Sequence, residues 1–125
     1  MLKKLTEKSL SDLNLQYLPR LTIKDSDKYL KESQKKSAKI RKKINCFLDI
    51  SYGDSSGQTL DIFPAKEVNA PVHIFIHGGY WRAAEIQKDT YSHIANPLTK
   101  AGATVVIPNY DLCPDVTITT IVSQI

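Results

Sequence analysis

The stretch that most constrains this chain is residues 72–81, Val-His-Ile-Phe-Ile-His-Gly-Gly-Tyr-Trp. Its first five residues are almost continuously apolar, the pattern of a strand covered on both faces of a parallel sheet. Two glycines end the run, and they let the backbone turn sharply and let another group approach its N–H dipoles. A second apolar run, Val105-Val106-Ile107, ends at Pro108. Between the two, residues 89–100 read as a helix, and Gly102 stands where a residue with positive φ would stop it. Strand, helix and strand in that order predict a parallel pair joined by a right-handed crossover.

The residues before this unit predict an antiparallel hairpin. Residues 47–52 and 59–63 alternate as strands around the turn cluster Gly53-Asp54-Ser55-Ser56-Gly57. After Pro114, the spacing of Val116, Ile118, Ile121, Val122 and Ile125 suits a helix lying on a sheet. The expected fold class is therefore α/β, with an antiparallel hairpin followed by parallel β-α-β, preceded by a helical arm.

Charge divides the chain. Residues 1–45 hold thirteen Lys/Arg and five Asp/Glu, net +8, whereas residues 46–125 hold four and eight, net −4. We read 1–45 as a basic helical arm and 46–125 as an incomplete α/β domain. In the arm, Ser9 or Ser11 is expected to cap a short helix through Leu10, Leu13 and Leu15, and Pro19 to interrupt the chain beyond it. A longer helix should start after Asp25 or Ser26 and run to about Lys43, packing through a narrow stripe of Tyr29, Leu30, Ala38, Ile40 and Ile44. The basic run at 35–43 has no interleaved aromatics, which argues against nucleic acid, and too few large apolar residues for a membrane surface. It reads as a solvated face, with an acidic partner as the alternative.

With 42% hydrophobic and 24% charged residues the chain is not disordered. No run reaches the length of a membrane span, and the first residues do not read as a secretory signal. Cys46 and Cys113 form no CxxC pair and fit a reducing, cytoplasmic setting as small apolar residues.

The chemistry concentrates at His77-Gly78-Gly79-Tyr80-Trp81. N–H groups in such a turn can stabilise an oxyanion that forms beside them. His77 reads as a hydrogen-bonded residue that shapes the turn, since no nucleophile stands near it in sequence. HGGYW after a buried strand resembles the α/β-hydrolase superfamily, in its branch with HGG-type oxyanion loops, and the Tyr-Trp pair resembles the kynurenine formamidase (arylformamidase) group and its esterase relatives. Tyr52-Gly53 with Leu60-Asp61-Ile62-Phe63-Pro64 is similar to that group's hairpin, and Asn109-Tyr110-Asp111-Leu112-Cys113-Pro114 to its NYxLxP block. Residues 121–125 resemble the start of the helix before the nucleophile strand, and Tyr17-Leu18-Pro19-Arg20 the group's N-terminal approach.

The resemblance implies an oxyanion hole at Gly78, Gly79 and Tyr80, and a substrate pocket lined by His77, Tyr80 and Trp81. It implies cofactor-free hydrolysis of an aryl formamide such as N-formylkynurenine, or of a small carboxylic ester. The superfamily's serine lies on a GxSxG elbow between a strand and a helix, and the one match to that spacing here, Gly53-Asp54-Ser55-Ser56-Gly57, falls in the expected hairpin turn instead. The Ser-Asp-His triad is therefore expected to be missing from these residues, which read as the N-terminal half of a hydrolase: a truncated product, a fragmentary gene, or a piece completed by a second chain.

Other readings are weaker. Gly53-Asp54-Ser55 matches a GDS nucleophile motif, but the residue three before His93 is Thr90, not the Asp that motif needs. His73, His77 and His93 lack metal-ligand spacing, so no metal is expected. Cys113 has no assignable activating base.

Overall fold

The computed structural model describes residues 7–18 and 21–125. The chain divides into two compact units, Met1–Glu32 and Ser33–Ile125. The compositional change at Asn45-Cys46 comes after this division, because the last eleven residues of the second helix belong with the sheet.

In the first unit, α1 spans Glu7–Tyr17 and α2 begins at Ser26. Ser9 and Ser11 lie inside α1 rather than ahead of it, so neither caps it. Pro19 and Arg20 fall outside the described residues. Asp25 adopts a left-handed φ of 57° and its carbonyl accepts the Lys28 N–H at 2.9 Å, which opens α2. Helix α2 runs over Ser26–Lys43, as the sequence predicts.

The second unit is a four-stranded sheet in the order β1-β2-β4-β3, with β1 at Phe47–Ser51, β2 at Thr59–Phe63, β3 at Val72–Ile74 and β4 at Thr104–Pro108. β1–β2 and β2–β4 pair antiparallel, and β3–β4 pair parallel. A bulge between Phe47 and Ile50 holds Asp49 at φ 57°. The expected hairpin and β-α-β unit are both present.

Register assigns the two faces. Val105 pairs with Phe63 and with His73, and Ile107 with Asp61. Val105, Ile107 and Phe63 are fully buried, packed with Ala95, Ile94, Leu98, Phe75 and Ile44. The opposite face carries Ile50, Leu60, Ile62, Val106, Val72 and Ile74, all half-buried or exposed.

Three expectations need correction. The 72–76 run is not covered on both faces: Val72 and Ile74 are each 61% exposed because β3 is the sheet edge in this chain. Ladder bonding continues one residue past β3, with Phe75 N–H donating to the Val106 carbonyl at 2.9 Å. The helix expected at 89–100 is a 3₁₀ helix over Lys88–Ile94 followed by α3 over Ala95–Lys100. Buried polar contacts made by Lys88, Thr90 and His93 hold the tighter first part. On α2, Tyr29 and Ala38 are exposed, and the buried residue is the polar Ser37. Its hydroxyl donates to the Thr90 carbonyl at 2.7 Å and accepts the His93 N–H at 3.0 Å.

Gly102 stops α3 as expected, at φ 93°. Its N–H reaches the Thr99 carbonyl at 3.1 Å and Ala103 N–H the Leu98 carbonyl at 3.0 Å, the paired bonds of a Schellman ending. The last helix, α4, spans Ile118–Gln124, and the Thr117 side chain caps it by accepting the Thr120 N–H at 3.1 Å.

Candidate active site

β3 and β4 are adjacent and parallel, so the segments following their C-terminal ends emerge side by side, where open α/β sheets place their ligands. After β3 come His77, Gly78, Gly79, Tyr80 and Trp81; after β4 come Asn109, Tyr110 and Asp111. The turn after β3 is strained. Gly79 takes φ 132°, and Tyr80 and Trp81 take left-handed values of 51° and 57°, unusual for consecutive aromatic residues. Bonds on both sides hold it. The Gly79 carbonyl accepts from Arg82 N–H at 3.1 Å and Ala83 N–H at 2.9 Å, and the Trp81 carbonyl from Cys113 N–H at 2.7 Å.

Gly78, Gly79, Tyr80 and Trp81 open onto a cavity of about 530 Å³, which is walled further by Ile76, His77, Tyr110 and the α4 residues Ile121, Val122 and Ile125. No charged side chain stands in that lining. The structure thus brings together every residue singled out in sequence for the oxyanion turn and the pocket. It adds Tyr110 and one face of α4, whose part in the site depends on the chain returning to the same sheet end.

His77 is 3% exposed. Its Nδ1–H donates to the Gly78 carbonyl at 2.8 Å, and Nε2 lies 2.8 Å from Asn109 Oδ1. Its ring stacks on Tyr110 at 4.5 Å and 10°. The Tyr110 hydroxyl donates to the His77 carbonyl at 2.6 Å, and burial pushes the Tyr110 hydroxyl pKa up. His77 is therefore fully engaged in shaping the turn.

The remaining candidates lie elsewhere. Ser55 sits in the β1–β2 turn, its hydroxyl enclosed and turned to the Asp111 carboxylate rather than to the cavity. His93 pairs instead with Ser37, Nδ1 lying 3.0 Å from its hydroxyl. That serine is fully buried and its proton is directed at the Thr90 carbonyl, so the pair is no nucleophile. His73 lies on β3. Among the described residues no cluster of three or more His, Cys, Asp or Glu could hold a metal ion. Cys46 and Cys113 are free and half-buried.

The chain is 30% identical to kynurenine formamidase of Danio rerio over 125 residues, which is 94% of this chain and 42% of that protein. It is 34% identical to the Drosophila melanogaster kynurenine formamidase over 77 residues, 60% of this chain and 25% of that protein. No family model matches. Among solved structures, one described as a thioesterase from a Silicibacter species superposes with a TM-score of 0.80 at 29% identity, covering 86% of this chain and 41% of its own. This is the α/β-hydrolase fold. An esterase from Mycobacterium marinum agrees at the level of fold alone, with a TM-score of 0.57 at 16% identity over 95% of this chain and 35% of its own. The hydrolase-fold chain thus spans about two fifths of the length of the Danio rerio relative. Among its described residues no helix is long and apolar enough to cross a membrane.

Proposed function

We propose that this chain supplies the oxyanion turn and the aromatic wall of a cofactor-free hydrolase acting on an aryl formamide, of the N-formylkynurenine kind, or on a small carboxylic ester. The observation that carries this reading is the strained Gly79-Tyr80-Trp81 turn opening onto an apolar cavity. A serine outside these 125 residues attacks the formyl or acyl carbon as the histidine of its triad takes the serine proton. The carbonyl π electrons move to oxygen, and the N–H groups of the turn receive the resulting oxyanion. When it collapses, an aryl amine or an alcohol leaves with a proton delivered by the catalytic histidine, and water then hydrolyses the acyl-enzyme. Apolar walls suit an aryl group, and Tyr80 and Trp81 offer flat ones. The turn alone polarises a carbonyl but has nothing to attack with, so residues 1–125 by themselves should take no label from a fluorophosphonate serine probe. Stoichiometric labelling overturns this assignment.

Trp81 is the sole tryptophan, so its fluorescence reports on the cavity directly. Formanilide or phenyl acetate titrated into the chain should change that emission saturably, and Ile121→Lys should abolish the change. An emission that stays flat up to the solubility limit overturns the pocket. In an enzyme completed by the remaining polypeptide, Gly79→Pro deletes one N–H donor and should lower turnover by about 100- to 1000-fold.

A second reading rests on α2. Lys35, Lys36, Lys39, Lys42 and Lys43 are all exposed and fall within about 120° of the helix circumference, a surface suited to an acidic partner. Salt-insensitive behaviour in pull-downs with acidic proteins would remove it.

A further inference from the structure

The direction of the Gly79 N–H is set by a chain of side chains that begins far from the turn. In a planar trans peptide the C=O and N–H point opposite ways. His77 Nδ1–H donates to the Gly78 carbonyl at 2.8 Å, which draws that carbonyl toward the imidazole and turns the Gly79 N–H away from it. Among the described residues no acceptor pairs with this N–H, and Gly79 lines the cavity. The aim of the N–H therefore depends on where the His77 ring is held.

Asn109 holds it. Its Oδ1 accepts from His77 Nε2–H at 2.8 Å and from the Lys88 N–H at 3.3 Å. Its Nδ2 donates to Gln87 Oε1 at 3.2 Å. The orientation of the Gln87 amide is fixed in turn, because Gln87 Nε2 donates to the Ala84 carbonyl at 3.1 Å and a carbonyl can only accept. The Asn109 backbone is pinned on both sides: its N–H donates to the Thr59 carbonyl at 2.7 Å, and its carbonyl accepts the Tyr52 hydroxyl at 2.5 Å. Lys88 is anchored by its Nζ, 2.6 Å from the fully buried Asp61.

We infer that Asn109 and Gln87 are positioning residues for the oxyanion turn, acting through the His77 ring and the Gly78 carbonyl. The functional weight of the inference rests on the proposed hydrolase activity; the geometry it claims does not. Neither side chain needs to touch substrate, and Gln87 does not line the cavity.

The test is nuclear magnetic resonance on isotope-labelled 1–125. In the wild type, Nδ1–H and Nε2–H of His77 should both be present and protected from exchange, since each faces an oxygen that can only accept. Asn109→Leu should remove the protected Nε2–H signal and shift the Gly79 amide, while the amides of the β1–β2 hairpin stay in place. If Asn109→Leu does not fold, Gln87→Leu decides, since Gln87 is exposed; it should move the same two signals in the same direction by a smaller amount. A wild-type ring bare at either nitrogen, or His77 and Gly79 signals unmoved in a folded variant, overturns the inference. These signals need no turnover. A relay that responds as expected in a chain whose Trp81 ignores formanilide overturns the hydrolase reading and leaves the positioning geometry standing.

Discussion

Gly78 and Gly79 are neighbours in sequence, yet a methyl group added at each meets different physics. At Gly78 nothing lies within 4 Å of an added Cβ. At Gly79 the nearest atom is 3.4 Å away, an ordinary contact, but the backbone is held at φ 132°, a region essentially reserved for glycine. Gly78→Ala should leave stability within about 0.5 kcal/mol of wild type, whereas Gly79→Ala should lose roughly 1–3 kcal/mol, both read from urea unfolding midpoints. Equal losses would refute the assignment of strain to Gly79. Asp111 offers a second test at this scale. The Ser55 hydroxyl, the Gln124 amide and the Gly57 N–H hold its carboxyl below the ordinary value, against the opposing effect of burial. A carboxyl depressed in the folded state contributes stability above its unfolded pKa of about 3.9 and loses it as pH falls through the folded value. Asp111→Asn should therefore flatten the fall in stability on the acid side of about pH 4, while wild type keeps the steeper slope.

Three elements meet at Asp61. This carboxylate is fully buried on β2. It accepts from Arg41 of α2, from Lys88 Nζ at 2.6 Å and from the Asp49 N–H of β1 at 3.0 Å. Lys88 also pairs with the Asp49 carboxylate and holds its pKa down. Burying charge this deeply is tolerated because each member is paired. The same network ties the basic helix to the sheet, and its Lys88 end carries the N–H that orients Asn109. Removing Asp61 leaves the buried Lys88 with only the exposed Asp49 carboxylate as its counter-charge. Asp61→Asn should cost about 3–5 kcal/mol, and Asp61→Leu combined with Lys88→Met should cost less than the two single changes added together. Additive losses in denaturant titrations would show that the groups do not act as a unit.

At the scale of the whole sheet unit, one face is packed and the other is not. Phe63, Val105 and Ile107 are sealed under the 3₁₀ helix and α3, while Val72 and Ile74 on the opposite face stay 61% exposed on an edge strand. An apolar edge without charge or bulge invites pairing with another chain. Ile74→Lys should suppress self-association of 1–125, measured by light scattering at rising concentration, with little loss of folded signal. Unchanged association would place the sticky surface elsewhere.

The order of the elements, the hairpin, the stop at Gly102 and the glycine turn could all be read from the chain, because each depends on local chemistry: strand-length apolar runs, turn residues, and glycine where φ is positive. The resemblance of HGGYW to α/β-hydrolases rested on the same short stretch. Features that depend on partners distant in sequence could not be read. Asp61 lies between Leu60 and Ile62, yet it faces the core beside Phe63, because strand register and the cations of Arg41 and Lys88 outweigh its own cost of burial. Ser37 outcompetes Ala38 for the buried side of α2 because the Thr90 carbonyl and His93 need a hydroxyl there. Apolar character alone did not predict cover for Val72–Ile74, since cover is supplied by neighbours and not by the strand itself. Asn109 and Gln87 carry no motif that marks them as linked to His77; the adjacency of β3 and β4 brings Asn109 to His77, and the start of the 3₁₀ helix brings Gln87 to Asn109.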